Sequence, residues 1–216
     1  RSRGLGDVYK RQVKDRLYTS PANSPARRSA QSAMNETLET IVRLMAPILS
    51  FTAEEIWEHM RGGKRPPSVH ADLFHPVKEH YKDPALASRW ENILTVRREV
   101  TKALELARKN REVGHSLDAS VTLGLSDTFM EALMPYIDQL RSIFIVSSVD
   151  LLHIQDMEGG LESETVPGLK VLISPSRDPK CERCWVHDPT VGDDKRHPNI
   201  CRRCLHALVE MGLSDD

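Results

Sequence analysis

The chain has 216 residues, with 30 Lys and Arg against 31 Asp and Glu and a formal net charge of −1. That length allows one large domain or two modest ones with a real core. The charge balance excludes a whole-molecule electrostatic grip on nucleic acid, so any such contact must come from local patches. No apolar run reaches transmembrane length and no signal-peptide pattern is present, so a cytoplasmic protein without a membrane partner is expected.

The opening RSRGLGDVYKRQ, residues 1–12, is basic, has no apolar stretch behind it and does not run into the pattern that follows. It reads as a non-native scar, and with no initiator Met the chain reads as a fragment. Residues 24–50 predict a helix, with Ser24 as N-cap, Pro25 at the first helical position and Pro47 ending or kinking it. Met34, Leu38, Ile41, Val42, Met45, Ile48 and Leu49 give it one apolar face. A second helix is expected over TAEEIWEHM, with Thr52 and Glu55 as a capping box. Four prolines and two glycines in residues 61–84 mark a loop or linker with one short turn. The longest helical signal covers residues 84–114, with Trp90, Ile93, Leu94, Val96, Val100 and Leu104 on one side and Gly114 as C-cap.

The texture then changes. ASVTLGLS alternates as a strand, DTFMEALMPYIDQLRSIF reads as a helix, and IFIVSSVDLLHI and LKVLISPS carry β-branched strand content around a loop, EGGLESETVPG. The expected fold is mostly α over 13–113, then a small α/β unit over 114–176, then a cysteine module over 177–216. Trp57 and Trp90 lie on apolar faces as core residues, and no Ser, Asp or Glu constellation predicts catalysis. Glu54 and Glu55 point apart on their helix and read as solvated charges.

All four cysteines lie in the tail, as Cys181, Cys184, Cys201 and Cys204 in a C-x2-C-x16-C-x2-C pattern. Each C-x2-C can turn two sulfurs toward one ion, and the loop between lets the second pair complete a tetrahedron. Zn(II) takes that geometry, and iron can occupy the same site. Four protein ligands leave no open position, so the ion is structural. His187, His197 and His206 are read as packing or surface residues because the cysteines already fill the shell.

A zinc ion with four thiolates carries two net negative charges. Lys180, Arg183, Lys195, Arg196, Arg202 and Arg203 surround it, either offsetting that charge or meeting phosphates. Trp185 is either the core of a small module or an exposed platform for an unstacked base. Lys14, Arg16, Arg27, Arg28 and Arg43 are further basic residues of the helical part. Arg16 and Arg43 read as helix bridges. Arg27 and Arg28 stand in a helix's first turn, where cations are disfavoured, so they serve either a solvated face or an external phosphate.

Several stretches together resemble one family. KDRLYT at 14–19, SPARRSAQ at 24–31, RLMAPILSFTAEEIW at 43–57, VGHSLDASVTL at 113–123, and GLKVLISPS followed by KCERCW and CRRC resemble the C-terminal part of bacterial isoleucyl-tRNA synthetases, which are class I enzymes. The order and spacing agree from about residue 13 to the end. The resemblance implies a helical anticodon-binding domain and a terminal zinc module that grip the anticodon stem and loop of tRNA(Ile). Arg183, Trp185, Lys180, Arg202, Arg203, Arg27 and Arg28 are then RNA-contact candidates. The family's HIGH and KMSKS signatures are absent here. The resemblance therefore implies a parent that joins isoleucine to its tRNA with ATP, in a catalytic body outside this chain, working as a monomer. It also implies a helix before KDRLYT, where this chain has GLGDVYKRQ. Two other readings stand beside it: a zinc module that only locks the tail, and the terminal finger of a formamidopyrimidine-DNA glycosylase-like repair enzyme.

Overall fold

The computed structural model describes residues 13–60 and 65–213, so the scar reading of 1–12 lies outside the described residues. The chain divides into two compact units. One spans Ala22–Lys82, and the other joins the residues up to Pro21 with those from Asp83 onward.

The Ala22–Lys82 unit is built on two helices, α1 (Pro25–Met45) and α2 (Ser50–His59). Ser24 caps α1 by accepting the Arg27 N–H at 3.3 Å, and Pro25 gives up no bond at the first position. The helix stops at Met45, ahead of Pro47, which has no N–H to continue the ladder; Ala46 still keeps helical angles, and its N–H bonds the Val42 carbonyl. The expected capping box at Thr52 and Glu55 does not form. Helix α2 begins earlier, at Ser50, whose hydroxyl donates to the Ala46 carbonyl at 3.1 Å. Thr52 is thereby already inside the helix.

The expected apolar face of α1 is buried only in part. Val42 is fully buried, whereas Met34, Leu38, Ile41, Ile48 and Leu49 are exposed. The core of this unit is small, formed by Val42, Ala46, Ala53, Trp57 and Val69.

Residues 65–82 fold back on both helices. They form two short turns, Val69–Ala71 and Glu79–Tyr81, where one was expected. Trp57 Nε1 donates to the Pro66 carbonyl at 3.0 Å. Glu54 accepts from the Ser68 hydroxyl at 3.0 Å and the Val69 N–H at 3.1 Å, so it fastens this loop and is not merely solvated. Arg43 bridges Glu39 on α1 and Asp72 in the loop, at 2.5 and 2.7 Å, and Arg65 also pairs with Glu39. Burial works against the Glu39 charge, but bonds to Arg43 and the nearby Arg65 guanidinium hold its carboxyl below the ordinary range.

The other unit is a four-stranded sheet covered by helices. Its strands are β1 (Ala119–Leu125), β2 (Ser148–His153), β3 (Leu161–Glu162) and β4 (Leu169–Pro175), in spatial order β2-β1-β4-β3. β1 and β2 run parallel, with Val121 opposite Val149. β1 and β4 run antiparallel, with Val121 opposite Ile173. The short β3 lies in the segment expected to be loop only.

Helix α3 (Pro84–Lys109) belongs to this unit. Its Ile93, Val96, Val100, Ala103, Leu104 and Ala107 share one core with Val121, Leu123 and Leu125 of β1. The expected Gly114 C-cap is not used. Arg111 takes the left-handed position at φ 63°, and the Glu112 N–H bonds the Ala107 carbonyl at 2.9 Å.

The parallel crossover from β1 to β2 is not one helix as predicted. It breaks at Pro135 into α4 (Asp127–Leu133) and α5 (Ile137–Phe144). Ile145 ends α5 at φ 61°, so β2 starts later than its β-branched residues suggest. Among the described residues no helix is long and apolar enough to cross a membrane.

Candidate metal centre and its cavity

The four cysteines converge through local turns. In the first knuckle the Trp185 N–H bonds the Cys181 carbonyl at 2.8 Å, and the Cys181 N–H bonds the Val186 carbonyl at 2.9 Å. The second pair opens α6 (Arg202–Glu210), with Cys201 as its N-cap. The Cys201 N–H donates to Cys181 Sγ at 3.3 Å. The sulfurs of Cys181, Cys184, Cys201 and Cys204 all lie within 4.8 Å of one another, and none is in a disulfide.

This donor set fits zinc. Four sulfurs at about 2.3 Å from a tetrahedral ion stand about 3.8 Å apart, and Cys184 and Cys201 are separated by 3.8 Å. Three of the four cysteines are buried. In the absence of a cation the sulfurs cannot all ionise. Hydrogen bonds from Cys201 and Cys204 push the Cys184 thiol well below its ordinary value. That thiolate pushes Cys201 up to about 11 and Cys204 further up. A bound dication removes the conflict by stabilising every thiolate.

The module is tied to the sheet unit. The His187 N–H donates to the Ser147 hydroxyl at 2.8 Å, and that hydroxyl donates to the Leu117 carbonyl. Asp118 takes Lys180 at 3.0 Å and His187 at 3.4 Å. The metal-compatible group among the described residues consists of the four sulfurs.

A turn of π-helix, Asp15–Thr19, holds the other side. The Asp15 carboxylate receives two bonds from Arg203, at 2.7 and 2.8 Å, and one from the Thr19 hydroxyl at 2.8 Å. Arg183 donates to the Thr19 carbonyl at 2.8 Å and lies 3.6 Å from Cys204 Sγ. Burial opposes the Asp15 charge, but Arg203 outweighs it and holds the carboxyl below the ordinary range. Asp15 in turn raises Arg203.

Of the RNA-contact candidates, Lys180, Arg183 and Arg203 thus have protein partners, and Arg202 pairs with Asp193 at 2.9 Å. Arg27 and Arg28 belong to the Ala22–Lys82 unit, and the cysteines belong to the other. Trp185 is the one aromatic among the candidates. It is 61% exposed, in the left-handed region at φ 66°.

Trp185 lines a cavity of about 440 Å³ together with Tyr18, Leu117, Arg141, Ile145 and Arg203. That volume is in the range of small-ligand sites, about 300–1,000 Å³. Both Trp185 and Ile145 adopt backbone angles that bulky residues avoid, at about 1–3 kcal/mol each. Sequence reasoning missed Asp15, Ile145 and Arg141, because nothing in their local patterns marks a partner far along the chain.

The chain belongs to the family of anticodon-binding domains of tRNA ligases, whose model matches residues 2–123. Residues 178–207 match the zinc finger found in FPG and IleRS. Among curated proteins, the chain is 47% identical over 207 residues to the isoleucine–tRNA ligase of Syntrophotalea carbinolica, covering 95% of this chain and 22% of that protein. The isoleucine–tRNA ligase of Moorella thermoacetica is 45% identical over 214 residues, covering 97% of this chain and 23% of the relative. That of Geobacter sulfurreducens is 44% identical over 199 residues, covering 91% and 21%. The chain thus spans about a fifth of the length of the curated relatives it matches.

Proposed function

We propose that this chain is the anticodon-reading part of an isoleucine–tRNA ligase, with tRNA(Ile) as its partner. The reaction, ATP-dependent joining of isoleucine to that tRNA, belongs to a catalytic body outside the chain, in the cytoplasm. In this reading residues 13–113 supply helical contacts, 114–176 form the junction, and 177–216 are the zinc module. One zinc ion on Cys181, Cys184, Cys201 and Cys204 fixes the module's shape and takes no part in the chemistry.

The observation that carries the reading is Trp185, exposed at the lip of a cavity beside the metal site. An exposed indole fixed to a rigid knuckle is a stacking platform for an unpaired base. The cations already paired with protein carboxylates contribute a general positive field more than direct phosphate bonds. The family match over residues 2–123 disfavours the glycosylase reading.

The test is binding of the zinc-loaded chain to the isoleucine tRNA and to the same tRNA with its anticodon bases changed, across a salt series. Tighter binding to the native anticodon is expected at every salt concentration. Equal binding with a shared salt slope would mean phosphate contacts alone.

A further inference from the structure

We propose that Asp15 and Arg203 are positioning residues that latch the zinc knuckle to the Asp15–Thr19 turn and so set where Trp185 stands over its cavity. Asp15 lies far from the cysteines in sequence, yet Arg203, next to Cys204, gives it both ends of its guanidinium, at 2.7 and 2.8 Å. A two-point bond between a planar guanidinium and a carboxylate fixes orientation as well as distance. Arg183, next to Cys184, makes the second attachment by reaching the Thr19 and Tyr18 carbonyls at 2.8 and 3.4 Å. Each C-x2-C pair therefore has an arginine pinned to the same turn.

The turn is shaped to receive them. The Tyr18 and Thr19 carbonyls are available because they end the turn and have no partner within it, and Thr19 braces Asp15 through its hydroxyl at 2.8 Å. Lys14, Asp15, Tyr18 and Thr19 line the cavity together with Arg183, Cys184, Trp185 and Arg203. The latch thus joins two segments that line the cavity. The arginines that look like phosphate ligands in the sequence instead fix the geometry of the platform between them.

The latch itself does not depend on RNA; only its effect on reading rests on the proposed function. The experiment uses the full zinc-loaded chain, wild type, Asp15→Asn and Asp15→Glu, with two readouts. The first is amide hydrogen exchange at residues 13–20 and 181–205, with and without a chelator. Zinc removal is expected to deprotect residues 13–20 together with the knuckle. Asp15→Asn is expected to deprotect residues 13–20 with one zinc per chain still bound. The second is discrimination between native and altered anticodons, which Asp15→Asn should lower about tenfold, the scale of one lost charge-assisted pair. Asp15→Glu should recover part of it.

Exchange at 13–20 that ignores both zinc removal and Asp15→Asn overturns the latch, whatever the RNA result. If the wild type does not discriminate, the anticodon reading fails while the exchange data still decide the latch. Full discrimination in a zinc-loaded Asp15→Asn protein would overturn the positioning role.

Discussion

Trp57 and Trp185 each stand among arginines, yet the two regions use the indole in opposite ways. Trp57 is 4% exposed in the Ala22–Lys82 unit, with Arg43 and Arg65 over its ring at 4.8 and 5.2 Å and its Nε1 bonded to the Pro66 carbonyl. It fills the centre of a small core that has little else of its size. In the zinc module the arginines turn away to a carboxylate and to backbone carbonyls, and Trp185 stays out in solvent. A metal explains the difference. Four sulfurs and an ion supply the module's interior, so its one large aromatic is not needed to hold it together. The described residues of the helical unit hold no such ligand group, and its tryptophan serves as packing.

That contrast is broken most severely by removing the metal. Structural zinc contributes on the order of 10–16 kcal/mol in finger peptides near neutral pH. Chelation, or Cys201→Ser, should therefore unfold residues 178–207 while amides of Ala22–Lys82 keep their protection, as read by hydrogen exchange. Loss of protection in both would mean that the helical unit depends on the metal too.

Truncating each tryptophan comes next. Trp57→Ala should cost about 3–5 kcal/mol of stability in urea unfolding, the range for a buried aromatic. Trp185→Ala should change stability by less than about 0.5 kcal/mol, as for other surface sites. It should instead weaken tRNA binding by about 1–3 kcal/mol with zinc content unchanged. A Trp185→Ala protein that binds normally would rule out the stacking platform.

The smallest effect is with pH. Burial opposes the charge on Glu39 in the helical unit and on Asp118 beside the knuckle. Bonds to Arg43 and Lys180 respectively outweigh it and depress both carboxyls. The unfolded chain then binds more protons than the folded one as pH falls. Both contributions are complete above the ordinary carboxylate range of about 4 and are lost as pH drops through the lower folded values. Glu39→Gln should flatten the acid limb of stability in the helical unit, and Asp118→Asn should do so near the knuckle. An unchanged acid limb in either variant would remove that carboxylate from the account.

Local sequence was enough to foresee the grouping of the four cysteines, the α1 start at Ser24 and Pro25, its stop ahead of Pro47, and the order of a helical region, a sheet and a cysteine module. These are local matters. Ligand spacing, capping chemistry and the missing proline N–H act within a few residues, so they can be read without knowing what packs where. Long-range folding sets the rest: α3 lies on the sheet, Arg43 is buried in a charge network, and Arg183 and Arg203 face residues 15–19. It also leaves Trp185 exposed instead of packed in the module's core. A side chain's exposure and partner depend on segments brought together by folding across more than a hundred residues, and no local period or motif encodes that meeting.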